Sequence, residues 1–144
     1  MESLEFADLP GGALLLIDSA PLIFFLEGHP EFGPFYRPLF EAHGDGRFRL
    51  AVTTITLAEL MTGPLQSGDE ALAERYRTTL ESWVVVELSS GIAASAARIR
   101  GKLRLKLPDA IQAASAIAIN ADALVTHDRD FSRLSAIRVI RFAT

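Results

Sequence analysis

Residues 13–28 read ALLLIDSAPLIFFLEG, and their reading decides the fold. ALLLI is a short unbroken apolar run, the pattern of a strand buried on both faces. SAPLIFFLEG follows at once as a helix, with Pro21 near its start and Gly28 at its end. A doubly buried strand that leads straight into a helix opens a βα unit. Asp18 sits at the junction, where open parallel sheets hold their ligands, just beyond the carboxyl end of a strand.

The same alternation continues outward from this unit. PEFGPFYRPLFEAHGDG (30–46) carries three prolines and several aromatic anchors, and predicts one or two short helices closed by Gly44-Asp45-Gly46. LAVTT (50–54) reads as the next strand and TLAELMTG as the next helix start. GDEALAERYRTTLESW has helical spacing at Leu72, Tyr76 and Leu80, and the β-branched WVVVEL reads as a strand. In SSGIAASAARIRGKL, Ile92, Ala96, Ile99 and Leu103 share one helical face. KLPDAIQAASAIAI is an apolar helix opened by Pro108, which is expected to hold Leu107 out of helical geometry. ALVTH (123–127) and IRVIRF (137–142) are the closing strands. Together these predict a three-layer α/β/α sandwich around a central, mainly parallel sheet of about five strands. They form one domain over residues 1–144, with a short leader over residues 1–12.

The bulk properties exclude several classes. The 144 residues are 49% hydrophobic, enough for one core. With no cysteine, disulfides and thiolate metal sites are excluded, in keeping with a cytoplasmic location. ALLLI is too short to span a bilayer, so no membrane association is expected. The acidic start lacks the basic region of a secretory signal. A net charge of −4 argues against a simple groove-binding nucleic-acid module, but not against an enzyme that holds phosphate through a metal. The three histidines lack ligand spacing, which disfavours zinc. Phosphate-binding loops and nucleophile-elbow motifs are also missing.

Four carboxylates occupy comparable places. Asp18 follows LLLI, Glu59 is expected in the first helical turn after VTT, Asp109 follows Pro108, and Asp128 follows ALVTH. Each has a local reading as well. Asp18 with Ser19 fits an N-cap, Thr56 and Glu59 fit a capping box, Asp109 complements a helix dipole, and Asp128 starts a turn. As a set they converge on one edge of a parallel sheet, where their repulsion would be relieved by a divalent cation. Oxygen donors alone favour Mg²⁺ or Mn²⁺.

The blocks LLLIDSAPLIFFLEG, TTITLAELMTG, LKLPDAIQAASAIA and ALVTHDRDF, in this order, resemble the PIN domain, and more closely the VapC-type toxin ribonucleases. The resemblance runs over residues 14–142. It implies a parallel-sheet sandwich and a Mg²⁺ or Mn²⁺ site that hydrolyses RNA phosphodiesters. It also implies a partner antitoxin and a homodimer. On this chain the implied metal-binding and catalytic acids are Asp18, Glu59, Asp109 and Asp128, with the hydroxyls of Ser19 and Thr126 beside them. Asp130 in HDRDF fits either a peripheral role through water or a cap of the turn before Phe131. Asp128, nearer the strand end, is the preferred ligand.

Arg98, Arg100, Lys102, Arg104 and Lys106 supply five of the 14 Lys and Arg within nine residues leading to Asp109, and are candidate RNA-phosphate contacts. The competing reading is a solvated helix face, and a spacing of two does not place all five on one side. Phe24, Phe25, Phe32, Phe35 and Tyr36 read as core residues, with an exposed groove for an antitoxin helix as the lesser reading. Two other functions stay open: a non-catalytic PIN scaffold that binds RNA or protein, and a metal-dependent phosphohydrolase with another substrate.

Overall fold

The computed structural model describes residues 6–141, so Phe142, at the end of the last expected strand, and the first five residues of the leader lie outside it. The five strands are β1 (Ala13–Ile17), β2 (Phe48–Thr53), β3 (Val84–Val86), β4 (Ala123–Thr126) and β5 (Val139–Arg141). They form one sheet in the order β3-β2-β1-β4-β5, and every neighbouring pair is parallel. The expected mainly parallel sheet of about five strands is thus found, and is parallel throughout.

Successive residues of β1 point to opposite faces, and each face meets its own core. Leu15 and Ile17 join Leu50, Val52 and Val125 in one core, which also holds Leu22, Tyr36, Leu39, Leu60 and Leu80. These come from α1 (Ser19–Leu26), α2 (Phe32–Gly44), α3 (Thr54–Gln66) and α4 (Glu70–Glu81). Leu14 and Leu16 join Ala51 and Leu124 in the other, with Ile92, Ala96, Ala110, Ala113 and Ala114. Those belong to α5 (Ser90–Leu103) and α6 (Leu107–Ala118). The alanines of α6 let its backbone lie close to the sheet, and Ala110 to Ala116 are buried without a break.

Local chemistry sets the ends of the helices. Asp18 caps α1 by accepting from the Ser19 N–H, and Gly28 takes a positive φ of 67° just past its end. Residues 30–46 yield a single helix, α2, which continues through Pro38. Two expectations are corrected. The cap of α3 is Thr53, whose hydroxyl accepts from the Thr56 N–H, so no Thr56–Glu59 capping box forms and Glu59 lies in the second turn. Helix α6 begins at Leu107 itself, with Lys106 extended before it. Pro108 thus sits in the first turn, where its missing N–H costs no helical hydrogen bond.

The described part of the leader, residues 6–12, is tied to the body. Leu9 is buried, Arg47 donates to the carbonyls of Phe6 and Ala7, and Asp8 pairs with Arg138. Among the described residues no helix is long and apolar enough to cross a membrane.

Candidate metal centre

The strand order places a switch between β1 and β4, because the chain proceeds from β1 to β2 and β3 on one side, then crosses to β4 and β5 on the other. The carboxyl ends of β1, β2 and β4 therefore open onto one crevice. Asp18 follows β1, Thr53 ends β2, Thr126 ends β4, and Asp109 stands in the first turn of α6. The Asp18 N–H donates to the Val125 carbonyl at 2.8 Å, joining the two strand ends.

Asp18 is buried and heavily partnered. Its Oδ1 accepts from the Ser19 N–H at 2.9 Å and from Gln112 Nε2 at 2.9 Å. Its Oδ2 accepts from Thr126 Oγ1 at 2.8 Å. Thr126 Oγ1 in turn accepts from the Asp128 N–H. Asp18 thus combines the capping role with a place in the crevice. Thr126 Oγ1 thus links the Asp18 carboxylate to the backbone of Asp128.

Asp109 differs. Its Oδ2 is buried and has no hydrogen-bond partner. Burial, followed by the charges of Asp128, Asp18 and Asp130, pushes its carboxyl up to about 6, against a smaller opposing pull from Lys106. Among the described residues, Asp109, Asp128 and Asp130 each bring one ligand oxygen within 4.8 Å of the others. Asp130 therefore stands closer to the acids than expected. The turn cap is Asp128, whose Oδ1 accepts from the Asp130 N–H at the start of the 3-10 turn Arg129–Arg133.

Glu59 reaches the crevice from another direction. It accepts from Ser19 Oγ at 3.3 Å, and burial, with a smaller contribution from Asp18, raises its carboxyl pKa. It lies outside the Asp109–Asp128–Asp130 group, so only two of the four expected acids, Asp109 and Asp128, fall in the compact trio. Asp18 acts on Asp109 through its charge, and Glu59 is linked to Asp18 in the same way. An orphaned carboxylate oxygen among mutually repelling acids, with only oxygen donors, fits a hard divalent cation.

Sequence reading missed the polar cluster beneath Asp18. Gln112, Thr53 and Thr56 are each almost wholly buried. Their signal was a lone amide in an apolar helix three residues after Asp109.

The basic run divides. Arg100, Arg104 and Lys106 line one depression of about 630 Å³ beside the start of α6. Arg98 and Lys102 lie with Arg133 on a separate groove floored by Ile99, Leu103 and Ile117. The early aromatics pack on the core, and Phe35 and Tyr36 are fully part of it. His127 packs edge-on to Phe24 and Phe32 and shares a 2.6 Å hydrogen bond with the Tyr36 hydroxyl; burial lowers its pKa.

A parallel sandwich with an acid-lined crevice at its switch point is the class that fold and site define. The PIN domain family model matches residues 15–137, and the chain belongs to that family. Among solved structures, it is similar to a toxin–antitoxin complex from Klebsiella pneumoniae, at 27% identity and TM-score 0.70 over 85% of this chain and 94% of that one. It is similar also to VapBC2 from Rickettsia felis bound to a promoter DNA fragment (20%, TM-score 0.69, 90% and 99% of the chains). DNA-bound VapBC from Salmonella typhimurium is comparable (23%, TM-score 0.69, 90% and 98%). No curated protein matches the chain.

Proposed function

We propose that this chain is a Mg²⁺- or Mn²⁺-dependent endoribonuclease, the toxin member of a toxin–antitoxin pair, built as a single PIN domain over residues 1–144. The observation that carries the chemistry is the buried, unpartnered Asp109 Oδ2 among acids that repel it. Membership of the PIN family and likeness to toxin–antitoxin structures support the biological role.

Asp18 and Asp109 would hold the cation most directly, and Asp128 and Asp130, each with an oxygen within reach of Asp109, would complete the set of acids. Bound there, Mg²⁺ or Mn²⁺ supplies the charge that activates a water and offsets charge developing on the phosphate. Glu59, steadied by Ser19, orients the attacking water. Thr126 keeps the Asp18 carboxylate aimed. In-line attack leaves a 5′-phosphate and a 3′-hydroxyl. Arg100, Arg104 and Lys106 guide RNA phosphates toward Asp109, because they share one depression at the start of α6 and Lys106 lies near enough to Asp109 to lower its pKa. The antitoxin and a second copy of the chain are its protein partners, and the cytoplasm its location.

The test is a panel of tRNA, mRNA, single-stranded DNA and a small phosphodiester, incubated with Mg²⁺, with Mn²⁺ and with chelator. Cleavage of RNA that needs the ion and disappears in Asp109→Asn is expected. Binding of RNA without ion-dependent cleavage would replace the enzyme by a scaffold. Cleavage of the small phosphodiester alone would replace the substrate.

A further inference from the structure

Helix α6 is apolar along nearly its whole buried length, and Gln112 interrupts it at 1% exposure. A buried primary amide loses hydration that only well-placed partners restore, and Gln112 has three. Its Nε2 donates to Asp18 Oδ1 at 2.9 Å and to Thr56 Oγ1 at 2.8 Å. Its Oε1 accepts from Thr53 Oγ1 at 2.7 Å. The orientation of the amide follows from the chemistry, since the reverse would set its oxygen against the carboxylate. Gln112 therefore joins the end of β2, the start of α3 and the end of β1 at one point.

Asp18 Oδ1 already accepts from the Ser19 N–H, so the bond from Gln112 occupies its second acceptor site. Oδ2 accepts one bond, from Thr126, and keeps a lone pair. We propose that Gln112 is a positioning residue: by saturating Asp18 Oδ1, it leaves Oδ2 as the oxygen that Asp18 presents to a divalent cation. The same helix carries Asp109 one turn earlier. One rigid element therefore supplies one carboxylate and aims the other, which fixes their relative placement. This inference rests on the metal-site reading given above.

The test reads Mn²⁺ binding rather than cleavage, by calorimetry and by electron paramagnetic resonance of free Mn²⁺. Gln112→Met keeps the approximate volume and removes every bond of the amide. Its Mn²⁺ affinity should fall by about 10- to 100-fold, the usual cost of losing a partner that orients a metal ligand. Asp109→Asn serves as the control and should lose binding outright. Wild-type affinity in a folded Gln112→Met, with Asp109→Asn inactive in binding, overturns the role of Gln112 and leaves the metal site standing. Absence of Mn²⁺ binding by the wild-type protein overturns both.

A second measurement needs no variant. The chain has two glutamines, and the other, Gln66, is exposed. In protein labelled at glutamine side-chain nitrogen, the Gln112 amide should shift in step with Mg²⁺ saturation while Gln66 stays still. Gln112 signals that ignore a saturating ion overturn the proposal.

Discussion

Asp18 and Asp109 open onto the same crevice, yet one carboxylate has both oxygens hydrogen-bonded and the other has an oxygen with no hydrogen-bond partner. Asp18 accepts three hydrogen bonds, from the first residue of α1, from the middle of α6 and from the end of β4. Asp109 Oδ2 accepts none, and its neighbours Asp128, Asp18 and Asp130 oppose its charge. One carboxylate is assembled by the fold itself. The other is left in a state that folding alone does not satisfy. Two residues of the same type therefore contribute differently to stability, and substitutions at the two should move it in opposite directions.

The largest expected effect is on catalysis. Asp18→Asn and Asp109→Asn should each lower ion-dependent RNA cleavage by about a thousandfold or more, measured as single-turnover rates at saturating Mg²⁺. Full activity in both would sink the site assignment. Stability then distinguishes them. Asp18→Asn sets an amide where three donors converge and should cost about 1–3 kcal/mol in denaturant unfolding. Asp109→Asn removes a repelled charge and should raise the melting temperature of the metal-free protein at neutral pH.

The pH dependence sharpens the same contrast. The Asp109 carboxyl holds its proton more tightly in the folded chain than at the ordinary value of 3.8, up to about 6. Folding is thus favoured at acid pH, and this contribution is lost as pH rises from the ordinary value through about 6. Metal-free melts should show that loss, Asp109→Asn should lack it, and added Mg²⁺ should raise the melting temperature most above that range. A wild-type slope unchanged in the variant would assign the effect to another group.

Smaller effects are expected farther out. Thr126→Val removes the donor to Asp18 Oδ2 and the acceptor of the Asp128 N–H. A loss of about tenfold in Mn²⁺ affinity should follow. Smallest of all, Arg104→Ala should weaken RNA binding and reduce its salt dependence by about one ion, whereas Arg98→Ala should leave both unchanged. Equal effects from the two would restore the basic run as a single surface.

Much of the layout was legible because it is written in short periods. The apolar runs ALLLI and LAVTT and the helical spacing of α4 and α5 show themselves within a few residues; β1 coincides with ALLLI, while β2 starts at Phe48, ahead of LAVTT, and yields Thr54 to α3. The acids after β1 and β4 were legible for the same reason. Thr53 was not singled out, because Thr53 and Thr56 both suit a cap and only the backbone decides which is extended. Asp130 was undervalued because its approach to Asp109 depends on the tight 3-10 turn after Asp128. The spacing of two already kept the basic run off one helical face, and the structure divides its members between two separate surface depressions.

The sequence by itself determined the order of strands and helices and the positions of the acids after strands, since apolar periodicity and such placement are local properties. Tertiary structure decided which carboxylate is satisfied and which is left open. That difference rests on contacts such as Gln112 with Asp18 and Thr126 with Asp18, between residues 94 and 108 positions apart. No local pattern encodes such pairs; they exist only once the sheet has brought its strand ends to one edge.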